Sequence, residues 1–257
     1  MAQAILPVVP AKLPGQMEAQ MDKPEVSVVI PVYNEVDNVG PLADEVKAAM
    51  EAAGKTFELV YVDDGSTDGT PAACDKIGWV RCIVHAKNAG QSAATITGIQ
   101  NAKADLIVTL DGDRQNDPAS IPDLLEALKD ADVAQGIRKK RNDKLNRRIA
   151  SRTAYFVRNL FLRDRIKDIG CSLRAFPKAA GLMLPQFNGV HRLMPAIFVF
   201  MGMKVAQVPT EHRARTAGVS KYGNLKRGAR GLLDLMGLYW LKKRIYKYSQ
   251  RAASGSD

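Results

Sequence analysis

The sequence predicts an α/β protein: a mostly parallel central sheet flanked by helices, followed by basic amphipathic helices. Two observations predict it. Between residues 25 and 137, five short apolar runs alternate with helical patterns, the signature of βαβ units with right-handed crossovers. Past Arg138 the alternation gives way to longer helical patterns threaded with Lys and Arg.

Taken in order, residues 26–30 read as a buried strand and residues 37–53 as a helix that stops at Gly54. Residues 57–62 are a second strand, closed by the turn Asp63-Asp64-Gly65-Ser66 and a short helix. Residues 79–84 are a third strand. Residues 91–102 are a helix of small residues, fit to pack closely on a sheet. Residues 106–110, 121–129 and 133–137 continue as strand, helix and strand. Then come a long basic amphipathic helix at 145–162, a short strand at 171–176, an apolar helix at 193–203 and a strand at 204–209. A final helix spans 225–248. Four segments follow: a disordered tail 1–23, a catalytic unit 24–223, a basic amphipathic segment 224–251 that is membrane-associated in this reading, and a tail 252–257. No internal repeat or low-complexity block is present.

The 257 residues are 46% hydrophobic, enough for a large core and against a disordered chain. Cys74, Cys82 and Cys171 have no paired metal spacing, which points to a reducing compartment without a disulfide frame. The net charge of +10 is unevenly placed. Residues 1–137 hold 10 Lys+Arg against 21 Asp+Glu, and residues 138–257 hold 27 against 6. An acidic half able to hold a cation is thus joined to a half that attracts anions. The longest apolar stretch, residues 193–203, is well short of the roughly 20 residues that span a bilayer. The N-terminus lacks a basic n-region and is broken by Pro7, Pro10 and Pro14, so it does not read as a signal peptide.

The chemistry sits at the strand ends. Leu106 to Leu110 runs into Asp111-Gly112-Asp113, and alternation lets residues i and i+2 point at one spot. Carboxylates at the carboxyl end of a parallel strand lie where open α/β sheets bind ligands. Hard oxygen ligands there suit Mg²⁺ or Mn²⁺ holding a diphosphate. Pro31-Val32-Tyr33-Asn34-Glu35 offers a ring and a carboxylate after the first strand, for a nucleobase or ribose. Val62-Asp63-Asp64-Gly65-Ser66-Thr67-Asp68-Gly69-Thr70 follows the second strand, where Ser66 or Thr67 can also cap the next helix. His85, His191 and His212 form no metal-ligand spacing. Each motif alone competes with a plain reading as turn, cap or solvated face.

Together these three motifs, with Arg114-Gln115-Asn116-Asp117-Pro118 completing the third, resemble glycosyltransferase family 2 and its GT-A, Rossmann-like fold over about residues 25–225. Asp168-Ile169-Gly170-Cys171-Ser172-Leu173-Arg174 and Arg215-Thr216-Ala217-Gly218-Val219-Ser220-Lys221-Tyr222 resemble the polyprenyl-phosphate branch. That branch includes dolichyl-phosphate mannosyltransferase and the bacterial undecaprenyl-phosphate sugar transferases. The stretch Gly170 to Phe176 is most similar to the aminoarabinose-type enzymes that prepare sugars for lipid A. The resemblance implies that Pro31, Tyr33, Glu35, Val62 and Asp64 hold the nucleoside. Asp111 and Gly112 would lie at the sugar and diphosphate, Asp111 and Asp113 would carry the chemistry, and Asp113 and Gln115 would bind the metal. Arg138, Arg215 and Lys221 would hold donor phosphates, and Arg147, Ser151, Ser172 and Arg174 the acceptor phosphate. Arg147 and Ser151 are one helical turn apart, so geometry and motif agree.

What the resemblance implies is an inverting transfer from a nucleotide-sugar, UDP favoured over GDP, to a polyprenyl phosphate. The partners would be the two substrates and an anionic membrane surface, with a homo-oligomer also within the family's range. The location would be peripheral, on the cytoplasmic face of the inner membrane. The chain departs from the family at Arg114, often Leu, and at Asp117, often a second proline; the two C-terminal transmembrane helices of many bacterial relatives are not expected within these 257 residues. Two other readings remain open: a family 2 enzyme acting on a saccharide or lipopolysaccharide-core acceptor, and a nucleic-acid-binding protein using the basic half. Against the last, no recognised nucleic-acid-binding motif is present and the first half is acidic.

Overall fold

The computed structural model describes residues 23–139, 155–213 and 224–244, with side chains in the last segment from residue 233 onward. The strands are β1 (Val26–Val32), β2 (Phe57–Asp63), β3 (Arg81–Val84), β4 (Leu106–Thr109), β5 (Val133–Arg138), β6 (Arg174–Pro177) and β7 (Val205–Thr210). The helices are α1 (Val36–Ala52), α2 (Thr70–Asp75), α3 (Gln91–Asn101), α4 (Ile121–Ala127), α5 (residues 155–162), α6 (Lys178–Leu182), α7 (Val190–Phe200) and α8 (Asn224–Arg244).

The strands form one sheet in the order β3-β2-β1-β4-β6-β5-β7. Pairings are parallel except those of β6, which runs antiparallel between β4 and β5. The expected mostly parallel sheet is therefore present, with one reversed strand, the fifth of seven, in its interior. The sequence pattern placed that strand at 171–176. Residues 171–173 instead remain outside the ladder, and α6 follows directly.

Both faces of the sheet are covered, which is why β1 reads as a continuous apolar run. Alternation sends Val28, Ile30 and Val32 to the face under α1, against Val39, Leu42, Val46 and Met50. Val29, Val60, Val62 and Ile107 turn to the other face, against Ile99 of α3 and the apolar side of α7. Each fully buried Val, Leu or Ile in these layers contributes about 1.5–3 kcal/mol. The small residues of α3 let it sit very close to β1. A Cβ at Gly98 would lie 2.2 Å from Val29 Cγ1.

Several elements shift from their predicted bounds for physical reasons. β1 extends through Pro31 and Val32 because β4 stops pairing at Val29, so the missing proline N–H costs no ladder bond on that side. β3 begins at Arg81 rather than at Trp79, whose ring turns edge-on to Phe57 at 5.8 Å. The apolar helix begins at Val190, three residues early. The predicted 145–162 helix is seen over 155–162; its first ten residues lie outside the described segments.

Candidate active site

The carboxyl ends of β1, β2 and β4 converge, and hydrogen bonds fix the loops that leave them. Asn34, at φ 54°, donates its N–H to Ser66 Oγ (2.8 Å) and accepts the Thr67 N–H at Oδ1 (2.8 Å). The Glu35 N–H reaches Thr70 Oγ1 at 2.9 Å. The first two motifs therefore form one interlocked wall. Within it Asp63 and Asp64 play different parts. Asp63 closes the turn by accepting the N–H and the hydroxyl of Ser66. Asp64 accepts the N–H groups of Ala89 (2.9 Å) and Gly90 (2.7 Å), with His85 Nδ1 2.9 Å from Oδ1. Both oxygens of Asp64 are thus held internally, and the carboxylate anchors the loop that begins α3. Tyr33 and Pro31 are half-buried at this edge. Glu35 accepts the side-chain amide of Asn38. The Val62 side chain is fully buried beneath α3, so the site can meet this residue only through its backbone.

Asp111-Gly112-Asp113 crosses directly over the end of β1. A Cβ at Gly112 would lie 2.7 Å from Val32 Cγ1 and 3.1 Å from the Pro31 carbonyl, so only glycine permits this approach. The crossing brings the two carboxylates beside this interlocked wall. Asp111 Oδ1 accepts the side-chain N–H of Gln91, at the start of α3, at 2.7 Å. Burial and then the Asp113 charge push the Asp111 carboxyl above its ordinary range; a hydrogen bond from Ser172, the Arg174 charge and the Gln91 bond pull it back. Asp113 Oδ1 accepts the Gln115 N–H at 3.1 Å, which tightens the turn.

This donor set fits a divalent cation. Two carboxylates oppose each other's charge, which a cation would relieve. Among the described residues no three His, Cys, Asp or Glu side chains gather as a closed cage. Mg²⁺ commonly takes one or two carboxylates and completes its shell with substrate phosphates and water. Asp111, Asp113 and Gln115 are the residues that would hold it.

The two departures at this turn share one explanation. Arg114, at φ 57°, carries its guanidinium away from the carboxylates to Glu45 of α1 (2.5 Å). Asp117 accepts the Ala119 N–H and pairs with Arg213 at 2.8 Å, and Arg213 also reaches Glu45 at 2.7 Å. The Arg213 N–H donates to the Gln115 carbonyl at 2.8 Å, and His212 bridges to Asn116. The end of the segment after β7 is thereby stapled across the candidate metal turn.

The basic residues divide. Ser172 joins the carboxylate site: besides Asp111, its hydroxyl accepts from Asn116 Nδ2 at 2.7 Å. Arg138 is engaged by Asp168 through two parallel bonds of 2.6 and 2.7 Å. Arg174 is only 2% exposed. It donates to Gln135 Oε1 (2.7 Å) and to the carbonyls of Cys171 (2.7 Å) and His191 (2.5 Å). That position makes it a support beneath the Ser172 loop, where a phosphate would not reach it; the expectation of direct contact is corrected by its burial. Arg147, Ser151, Arg215 and Lys221 lie outside the described residues. Sequence reasoning missed Gln91, Asn116 and the Glu45–Arg213 staple. Their partners are 20 to 168 positions away, and no local spacing announces them.

Comparison with known proteins agrees with this geometry. The glycosyl transferase family 2 model matches residues 27–183, which contain the three strand-end motifs. A dodecaprenyl-phosphate galacturonate synthase of Rhizobium johnstonii is 36% identical over 229 residues, covering 85% of this chain and 68% of that protein. An undecaprenyl-phosphate 4-deoxy-4-formamido-L-arabinose transferase of Pectobacterium carotovorum is 35% identical over 221 residues, 84% of this chain and 66% of the relative. The chain thus spans about two thirds of these proteins' length. Among solved structures, glucosyl-3-phosphoglycerate synthase of Mycobacterium tuberculosis, bound to Mn²⁺, UDP and glucosyl-3-phosphoglycerate, superposes with a TM-score of 0.65. It covers 94% of this chain and 88% of that one at 19% identity, a likeness of GT-A fold. With motifs, sheet order and relatives all in accord, the chain belongs to glycosyl transferase family 2.

Proposed function

We propose that this protein is an inverting, metal-dependent glycosyltransferase. It moves a sugar from a nucleotide-sugar, with UDP favoured, to a polyprenyl phosphate, making a lipid-linked donor for lipid A or envelope modification. The observation that carries the reading is the crossing of Asp111-Gly112-Asp113 over the end of β1, beside the interlocked nucleoside wall. The relatives named for dodecaprenyl- and undecaprenyl-phosphate products support the acceptor class. The neighbour structures carrying UDP with Mn²⁺ or Mg²⁺ support the donor and the cation.

Bound at Asp111, Asp113 and Gln115, the cation would offset charge building on the leaving diphosphate, a role worth several kcal/mol. The remaining work falls to the chain's own residues. The β1 and β2 loops orient the nucleoside. Gln91 and Ser172 hold Asp111 toward the sugar. A phosphomonoester has a second pKa near 6 and is mostly dianionic at neutral pH. It needs alignment more than deprotonation. Arg147, Ser151, Arg215 and Lys221 belong to this proposal as phosphate contacts on the strength of their motifs. A prenyl acceptor places the enzyme at a membrane, peripherally and on its cytoplasmic face. Among the described residues no helix is long and apolar enough to cross one.

The test is incubation with Mn²⁺ or Mg²⁺, a short polyprenyl phosphate and a panel of UDP- and GDP-sugars, followed by mass spectrometry. The expected product is a glycosyl-phosphoryl-prenol from a UDP-sugar, reduced about 100-fold or more by Asp113→Ala. Metal-dependent nucleotide binding with no prenyl product from any donor would overturn the acceptor assignment in favour of a saccharide.

A further inference from the structure

The loop between β3 and α3 is exposed over residues 86–89, yet its end is fixed. Exposed loops are ordinarily the mobile parts of a fold. Here the turn after β2 holds the loop in place. Gly65, at φ 70°, packs directly on it: a Cβ there would lie 2.7 Å from the Asn88 backbone nitrogen. Asn88 donates its side-chain N–H to the Asp64 carbonyl at 3.1 Å. The Asp64 carboxylate, buried in the structure, accepts the N–H groups of Ala89 and Gly90. Hydrogen bonds to a charged acceptor are stronger than neutral ones, so this carboxylate sets where the loop ends. Gln91 is the next residue, and its side chain donates to Asp111.

The body of α3 is fixed separately, by the close approach of Gly98 to Val29 on β1. His85 joins the two anchorages. Its backbone N–H reaches the Asp63 carbonyl at 2.8 Å, at the end of β2. Its ring lies between Asp64 Oδ1, 2.9 Å from Nδ1, and Thr97 Oγ1, 3.0 Å from Nε2. In the neutral ring the carboxylate assigns the proton to Nδ1, which leaves Nε2 bare to accept the Thr97 hydroxyl. Thr97 lies six residues past Gln91, about 9 Å along the helix axis. The Asp64 carboxylate is thus tied to α3 at two points, the helix start through Gly90 and its second turn through Thr97. An error in the angle between those points is carried into the first turn, where Gln91 stands.

We propose that His85 is a positioning residue for sugar transfer: by bridging Asp64 and Thr97 it fixes the first turn of α3, and with it the direction in which Gln91 holds Asp111. The proposal rests on the glycosyl-transfer reading for its reaction and on the Asp64–His85–Thr97 bridge for its geometry. The route runs through Gln91, so His85 and Gln91 act as one unit.

The test is a double-mutant cycle on the full chain, with the donor and prenyl phosphate that give product. His85→Leu removes both ring nitrogens and should lower kcat about tenfold with KM for the nucleotide-sugar within about twofold. Added to Gln91→Ala, it should lower kcat by less than about twofold more, because residues that act as a unit are not additive. Thr97→Val deletes one hydroxyl and should show a smaller loss, about threefold, with the same dependence on Gln91. It carries the cycle if His85→Leu does not fold. Independent losses that multiply to about 100-fold would overturn the proposal. So would unchanged kinetics, or a rise in KM with kcat unchanged, which would place His85 in donor binding. Hydrogen exchange over residues 86–92 is read in parallel and needs no reaction. The Ala89 and Gly90 amides should exchange about tenfold faster in His85→Leu, or in Thr97→Val if that variant stands in, and unchanged exchange would likewise overturn the proposal. Faster exchange in the variant, with no product from any donor in the wild type, would uphold the bridge and count against the glycosyl-transfer reading.

Discussion

At the scale of single residues, the site turns on how Asp111 is held. Its carboxyl is pushed up by burial and by Asp113, and the Gln91 N–H is one of the few groups that favour its charged, oriented form. A neutral donor at 2.7 Å fixes direction without adding charge to a site that would hold the proposed cation. Gln91→Ala should therefore lower kcat about tenfold while leaving KM for the nucleotide-sugar within about twofold, a loss confined to the transition state. Gln91→Glu should be worse, because it sets a third carboxylate beside two. Steady-state kinetics on both variants decides the matter; a KM effect with kcat unchanged would show that Gln91 acts on donor binding instead. Asp111 and Asp113 were legible in the sequence because a period of two joins them to one strand end. Gln91 was not, because its contact depends on α3 starting where Asp64 anchors the preceding loop. Val62 illustrates the opposite case. The motif marks it as a nucleoside contact, but the alternation of β2 turns its side chain into the core.

Among elements, the sheet was largely readable, since apolar runs covered on both faces leave an unmistakable pattern. β6 was placed too early because its strand residues follow a three-residue stretch of similar apolar character, Cys171 and Leu173 included, that packs outside the ladder with a backbone bond from the Gly136 N–H to the Leu173 carbonyl at 2.9 Å. The ionic staple was invisible for a different reason: it joins α1, the candidate metal turn and the segment after β7, which only the folded chain brings together. Arg114 and Asp117 look like separate irregularities in sequence, yet both are satisfied through Glu45 and Arg213. Half-exposed pairs of this kind contribute about 0.2–1 kcal/mol each. Arg213→Ala should thus cost about 1 kcal/mol or less in global stability. Its larger effect should be local, a three- to tenfold loss of Mn²⁺ affinity in the presence of UDP, because the Arg213 backbone would no longer be drawn onto Gln115. Calorimetric titration beside urea denaturation separates the two quantities; unchanged metal affinity would reduce the staple to a surface contact.

Across the whole molecule, the acidic, parallel half and the basic half meet at a buried polar junction that the sequence did not announce. Ser92 of α3 accepts the Gly189 N–H at 2.8 Å and lies 2.6 Å from His191 Nδ1 of α7. The His191 carbonyl in turn accepts from Arg174, whose strand lies between β4 and β5. Arg192 Nε reaches the other ring nitrogen at 3.2 Å. These partners assign a neutral ring that donates through Nδ1 and accepts at Nε2. Burial, then the charges of Arg192 and Arg174, push the His191 pKa down from 6.5 to about 3. A base whose folded pKa lies below its unfolded one stabilises the fold fully above the unfolded value and loses that contribution as pH falls, because the unfolded chain takes up the proton first. The window here runs from about pH 6.5 down to about 3. Within it the wild type should lose about 1 kcal/mol per pH unit more than His191→Asn, which keeps a donor toward Ser92 but does not titrate. Urea denaturation of both proteins between pH 7.5 and 5 measures this difference directly, since the carboxylates common to both cancel. Parallel stability curves would mean that His191 gains its proton in the folded state as readily as in the unfolded one. Convergence toward acid would establish that the two halves are joined through a histidine that must stay neutral.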